Sequence, residues 1–252
     1  MKIDIIGRGN VASHLLTAMS GYEDFDCRIV TPRSFDGLRR DASVYLLAVA
    51  DDAIAEVCGR LCSQIGTMRD SGYCDGLNPP VIAHTSGTTP LSALDAATEC
   101  GFHVGVFYPL QTFSKGIKLD YPEIPIFIEG DSDFTYKRLA WIACPFGETM
   151  KMDSVKRRAL HLASVVACNF ANRLWALADE YLAGEDIDFR LMLPLLRETV
   201  GKLERVSHPR QAQTGPAERH DMRTISRHLK MLESKPELKG IYQTLTNSIL
   251  ND

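Results

Sequence analysis

No apolar run in this 252-residue chain approaches the ~20 residues that a bilayer-spanning helix needs; the longest lie at residues 44–50 and 160–168. A soluble protein is expected, with no membrane as partner. The opening Met1-Lys2-Ile3-Asp4-Ile5-Ile6-Gly7 shows no basic segment followed by an apolar stretch and a small-residue cleavage site, so secretion is not expected. There is no surplus of positive charge either: 28 Lys and Arg stand against 32 Asp and Glu, which argues against nucleic acid as a partner. The seven cysteines (27, 58, 62, 74, 100, 144 and 168) are odd in number and scattered, so no disulfide framework is implied and a reducing, cytoplasmic setting is. Cys58 and Cys62 stand four apart without a second pair at metal spacing, and His208, His220 and His228 form no compact cluster. No metal site is expected.

What the chain has is 45% apolar and 24% charged residues, the balance of an ordinary globular protein, arranged in two patterns. Up to residue 152, short β-rich runs (2–6, 27–31, 44–49, 81–84, 103–107, 124–128 and 148–152) alternate with helical stretches. Several runs are apolar throughout, as strands covered on both faces are, so a doubly wound, mostly parallel α/β sheet is predicted. From residue 153 onward the apolar spacing is helical. Residues 154–182 read as one long helix whose Leu160, Ala163, Ala167, Ala171, Leu174 and Ala178 predict deep burial, followed by helices near 188–204, 223–232 and 237–250. The expected domains are residues 1–152, a Rossmann-type dinucleotide-binding domain, and 153–252, an all-α domain.

The first chemical signal is Gly7-Arg8-Gly9-Asn10-Val11-Ala12, a G-x-G-x-x-A string placed where an apolar strand hands over to a helical stripe. Gly7 suits the tight turn, Gly9 allows backbone to approach a pyrophosphate, and Ala12 lets helix pack on strand; free N–H groups at the helix start would meet the phosphates. An ordinary βα turn is the alternative. About 20 positions on, where NAD-dependent proteins place a ribose-binding carboxylate, the chain reads Ile29-Val30-Thr31-Pro32-Arg33-Ser34. Arg33, with Thr31 and Ser34, could surround a 2′-phosphate, so NADP(H) is favoured as cofactor over NAD(H). Ala48, Val49 and Ala50 form a small strand end across which the dinucleotide can lie, and Asp51 or Asp52 is expected to cap the next helix.

Ligands of such sheets sit outside the carboxyl ends of the strands, which points to two loops. In His84-Thr85-Ser86-Gly87-Thr88-Thr89-Pro90, the groups of Ser86, Gly87 and Thr88 would form a polar cup for substrate, with Thr89 as N-cap and Pro90 opening a helix. A cap motif without ligand is the alternative. In residues 105–114, Tyr108 and Gln111 are polar groups among apolar ones and need partners, from a ligand or from within the fold. On the long helix, His161 and Asn169 stand about two turns apart with Asn172 beyond. Histidine exchanges protons and asparagine orients a carbonyl or hydroxyl, so His161 and Asn169 are the candidate catalytic pair and Asn172 a candidate substrate contact; a hydrogen-bonded core histidine is the alternative. The polar segment 213–221 could complete a site or a dimer contact.

The glycine turn, residues 46–54 and the all-α second half resemble the β-hydroxyacid dehydrogenase superfamily, which includes 6-phosphogluconate dehydrogenase and pyrroline-5-carboxylate reductase. Within it, His84-Thr85-Ser86-Gly87, residues 108–113, His161 with Asn169, and Gly215-Pro216-Ala217 look like a bacterial group of NADP oxidoreductases of unassigned function. The resemblance implies hydride transfer between NADP(H) and a small carbonyl, imine or hydroxy compound held at the interdomain cleft, and a homodimer formed through a helical domain like the C-terminal one of 6-phosphogluconate dehydrogenase. It also sets His161 where those dehydrogenases use a lysine, and Tyr108-Pro109 where prephenate dehydrogenases have His-Pro, so their substrates do not carry over. The missing lysine leaves a second reading, a non-catalytic NADP(H)-binding redox sensor.

Overall fold

The computed structural model describes residues 1–66 and 79–252; Cys74 lies outside the described residues. Packing divides the chain into two compact units, Met1–Val165 and Val166–Asp252.

The first unit is built on seven strands: β1 (Lys2–Ile6), β2 (Asp26–Val30), β3 (Val44–Leu47), β4 (Val81–His84), β5 (His103–Pro109), β6 (Ile126–Gly130) and β7 (Thr149–Lys151). Their order in the sheet is β2-β1-β3-β4-β5-β6-β7. The first five are parallel; β6 runs antiparallel to β5, with β7 parallel to β6. Strand order reverses between β1 and β3, the topological switch point at which doubly wound sheets bind ligands. Registers Ile6↔Val30, Ile6↔Leu47 and Leu47↔His84 bring the carboxyl ends of the first four strands level.

Apolar residues on both faces of β1 and β3 require cover on both sides, and the helices supply it. On one face, Ile3, Ile5, Val44 and Leu46 pack with Leu15 and Met19 of α1 (Asn10–Met19) and Leu139 and Ile142 of α4 (Asp133–Ile142). On the other, Ile6, Tyr45 and Leu47 pack with Val57, Cys58, Leu61 and Cys62 of α2 (Ile54–Ile65) and Ala97 of α3 (Asp95–Glu99). Cys58 and Cys62 thus serve as small apolar fillers. Truncating Leu61 to Ala would leave a cavity costing ~2–5 kcal/mol. The sheet also buries one charge: Asp4 of β1 is fully enclosed, and Arg39 donates to it from Nε at 2.7 Å while its Nη1 reaches Asp26. This ties the long connection after β2 back to the sheet.

The first unit ends in α5 (Ser154–Ser164), started by Asp153, whose carboxylate accepts from Lys156 N–H. A π-helical turn, Val165–Phe170, leads to α6 (Ala171–Ala183), so the long helix is interrupted and α-helical spacing does not carry through it. The second unit continues with α7 (Leu193–Gly201), α8 (Met222–Met231) and α9 (Pro236–Leu250). The 188–204 segment is one α-helical stretch between 3₁₀ turns at Phe189–Met192 and Lys202–Arg205.

The burial expected along 154–182 is not observed: Arg157 is the buried residue of α5 and Leu177 that of α6. Leu162, Val166 and Phe170 are 65%, 55% and 58% exposed. The small-residue spacing is that of a close-packing surface, but among the described residues that surface is left exposed.

Candidate functional site

The glycine turn lies at the switch point, and its two glycines are required for different reasons. A Cβ on Gly7 would lie 2.1 Å from the Ala48 carbonyl oxygen, so Gly7 is dictated by the close approach of the β1 and β3 ends. A Cβ on Gly9 would meet nothing within 4 Å, so the absent side chain leaves open space. Helix α1 begins at Asn10 with no side-chain cap and no acidic residue in its first turn; its first backbone bond is Ser13 N–H to Gly9 C=O. The N–H groups of Asn10, Val11 and Ala12 and the positive helix end therefore face an anion unopposed. Arg8 is exposed beside them, and Ala12 is fully buried against the sheet. The Asn10 side chain is engaged elsewhere, donating to the Phe113 carbonyl at 3.0 Å.

At the end of β2 the chain turns tightly, Phe35 N–H donating to Thr31 C=O at 2.9 Å. Arg33 and Ser34 are exposed on this turn, and Ser34 Oγ donates to Asp36. Ala48 is buried, Val49 half-buried and Ala50 exposed. The aspartates that follow do not cap α2, as was expected of them: a 3₁₀ turn opens at Asp51 without a side-chain cap, and Asp51 accepts from Thr88 Oγ1 instead.

That bond ties down the loop after β4, which is largely satisfied from within. Ser86 is buried, and its Oγ accepts from the N–H groups of Thr88 and Thr89. Thr89 is not an N-cap; the 3₁₀ turn Leu91–Leu94 starts after Pro90 with no side-chain cap. His84 is fully buried, its Nδ1 accepting from Ser86 N–H at 3.2 Å. Burial, helped by the Arg157 charge, pushes its pKa down to about 4, so it is neutral at pH 7.

Three expected site residues meet next to this loop. Tyr108, at the end of β5, lies 3.2 Å from His161 Nδ1 through its hydroxyl. Gly87 packs against both: a Cβ there would fall 2.6 Å from His161 Nδ1 and 2.9 Å from Tyr108 Cε2. On the same helix, Ser164 Oγ donates to the His161 carbonyl at 2.7 Å. Burial raises the Tyr108 pKa, keeping it a neutral phenol. Gln111 is not a buried amide as expected; it is exposed, and its Oε1 accepts from the neighbouring Thr112. Asn169, in the π turn, and Asn172, in α6, are both exposed.

The residue that sequence reasoning missed is Arg157. In the run Lys156-Arg157-Arg158 it is fully buried, paired with Glu129 of β6 and donating to the Thr89 carbonyl. Ser154 Oγ donates to the same Glu129 at 2.7 Å and accepts from Leu91 N–H. Arg157 sits one helical turn before His161, and that spacing was the available signal. The group locks α5 to the β4 loop and so sets the height of His161 against Tyr108.

A doubly wound sheet with a glycine turn at its switch point, followed by helices, defines a Rossmann-like α/β protein. The chain belongs to the family described as a domain of unknown function (DUF2520), whose model matches residues 124–249. It is similar along its whole length to a Bacteroides fragilis protein described as a putative NADP oxidoreductase, with 32% identity, a TM-score of 0.80 and 100% and 98% of the two chains covered. A Thermotoga maritima protein (18% identity, TM-score 0.67, 99% and 98% covered) and a Streptomyces aurantiacus imine reductase (12%, 0.67, 99% and 93%) share the fold. No curated protein matches the chain.

Proposed function

We propose that this chain is an NADP(H)-dependent oxidoreductase of the β-hydroxyacid dehydrogenase type, acting on a small carbonyl, imine or hydroxy compound. Residues 1–152 would bind the cofactor, and 153–252 would serve substrate binding and dimerisation. The observation that carries the reading is the meeting of His161, Tyr108 and Gly87 at the β4 and β5 ends, on the sheet edge that the glycine turn also occupies. The description of the Bacteroides fragilis relative supports the same cofactor.

The residues fit the dinucleotide. The uncapped α1 start would take the pyrophosphate, the space above Gly9 would admit it, and Thr31, Arg33 and Ser34 would take the 2′-phosphate. When bound, the nicotinamide supplies or accepts hydride at its C4. The protein must then supply or remove one proton, and His161 would be the group that does so. Its Nδ1 lies 3.2 Å from the Tyr108 hydroxyl, and Ser164 Oγ donates to its backbone carbonyl. With Nδ1 engaged by Tyr108, Nε2 would be the nitrogen that exchanges the proton with substrate. Asn169 and Asn172 would orient the substrate; the Ser86–Thr88 loop and Gln111 would line its polar end.

The reading is tested by titrating the protein with NADPH and NADH, following nicotinamide fluorescence, and then screening carbonyl and imine compounds for NADPH oxidation. Tight NADPH binding with turnover on any compound is the expected result. Absence of nucleotide binding would overturn the reading; NADPH binding without turnover across the panel would favour the redox sensor.

A further inference from the structure

The turn proposed to hold the 2′-phosphate is gripped by a second arginine that the sequence does not place near it. Arg60, on the outer face of α2, donates through Nη2 to the carbonyl oxygen of Arg33 itself. Its guanidinium lies over the Phe35 ring, 5.3 Å from the centroid. Phe35 is buried and held at φ +55°, a left-handed conformation rare for an aromatic residue, so the turn has an enforced shape. Arg39 ties the far end of the same connection to Asp4 and Asp26.

The Arg33 side chain has no bonded partner among the described residues, while Arg60 has only Glu56, at 3.6 Å, in a pair whose side chains are 42% and 72% exposed. An ion pair so exposed and so long neutralises little. Two arginines therefore serve one turn, Arg33 on it and Arg60 bonded to its backbone, while the turn's own carboxylate, Asp36, accepts from Ser34. Arg60 is also preorganised: the Arg33 carbonyl and the Phe35 ring hold it in one direction, so little rotamer freedom is left to lose on binding.

We propose that Arg60 is a specificity-determining residue for the 2′-phosphate of NADP(H), fixing the Thr31–Phe35 turn from below and adding a second cation to Arg33. The inference rests on the cofactor reading above. It assigns the discrimination between NADPH and NADH to two elements, the β2 turn and helix α2.

The test is nucleotide titration of the wild type, Arg60→Ala, Arg60→Lys, Arg33→Ala and the double Ala variant, with NADPH and NADH, at low and high salt. Arg60→Ala should weaken NADPH about tenfold and NADH less than twofold, the size of one charge-assisted bond. Arg60→Lys should recover only part of the loss, because lysine keeps the charge but loses the planar contact with Phe35. The double variant should lose less than the product of the single losses, since both act on one phosphate through one turn. Equal weakening of NADPH and NADH in Arg60→Ala, or no weakening of either, would overturn the proposal while leaving the cofactor reading intact. A wild type that binds NADH as tightly as NADPH would instead remove the cofactor reading, and this inference with it.

Discussion

The hydroxyl of Tyr108 and Nδ1 of His161 are 3.2 Å apart although the residues are 53 positions apart in sequence, and Gly87 packs closely against both. If His161 exchanges the proton, His161→Ala should lower turnover ~10²–10⁴-fold, the usual worth of a general acid–base group, with NADPH affinity within about twofold of wild type. Tyr108→Phe keeps the ring and removes only the hydroxyl bonded to His161 Nδ1, so its turnover should fall less, about tenfold. Steady-state kinetics beside fluorescence titration checks both, and an active His161→Ala protein would remove the assignment.

Gly87→Ala tests the same pair by crowding. The added Cβ would lie 2.6 Å from His161 Nδ1 and 2.9 Å from Tyr108 Cε2, so one ring must move. The His161 ring is the less enclosed of the two and should yield. Turnover should approach that of His161→Ala, while unfolding free energy drops by only ~1–3 kcal/mol, the range for modest overpacking. Urea unfolding and kinetics measured on one preparation separate the two effects; wild-type turnover in this variant would show that the contact does not matter.

Much of this site was legible because it follows from backbone requirements that leave residue-level marks. Gly7, Gly9 and Ala12 announce a strand-to-helix turn, and the level strand ends bring Gly87 and Tyr108 beside it. What was not legible depends on long-range pairing. Arg157 is chemically identical to the exposed Arg158 next to it, and only the position of Glu129 on β6 decides which of the two is buried. Asp51 and Asp52 carry the mark of a helix cap, yet Thr88 from the next loop competes for Asp51 and wins. The π turn at Val165–Phe170 has no sequence signature and alters the phase from which Asn169 and Asn172 were placed.

Arg157 and Glu129 form a buried pair that also anchors the Thr89 carbonyl. Replacing Arg157 with Met removes the cation and strands Glu129, which is only 18% exposed, so destabilisation of about 3 kcal/mol is expected. The double variant Arg157→Met/Glu129→Met leaves no orphan charge and should recover most of that loss. Guanidinium unfolding of the three proteins measures it; a double variant as unstable as the single one would show that the carbonyl contact, rather than the charge pair, carries the stability.

His84 makes stability depend on pH in a direction that can be worked out. Its folded pKa of about 4 lies below its ordinary 6.5, because burial and the Arg157 charge oppose the imidazolium. The unfolded chain therefore takes up the proton first. The contribution of His84 is complete above pH 6.5 and is lost as pH falls toward 4. Between pH 7.5 and 5 the wild type should lose about 2 kcal/mol on this account, 1.5 pH units at ~1.36 kcal/mol each. His84→Asn can still accept from Ser86 N–H but does not titrate, so its urea midpoint should be flatter over the same range. Parallel curves for the two proteins would contradict the assignment.

Helix α6 and the π turn before it display Val166, Phe170 and Leu174 at steps of four, all more than one-third exposed, with Ala167 and Ala171 between them. Small residues flanking an exposed apolar stripe let a second helix approach closely, and a stripe of this kind left in water favours association. The proposed homodimer should therefore form through this face. Phe170→Asp places a charge in the middle of the stripe and should convert a dimer of about twice 28 kDa to monomer in sedimentation equilibrium, without loss of helical circular dichroism. Trp141→Asp, on α4 of the first unit and 55% exposed, is the control that should leave the dimer intact. A wild type that sediments as a monomer, or a Phe170→Asp variant that remains dimeric, would move the contact to another face or remove it.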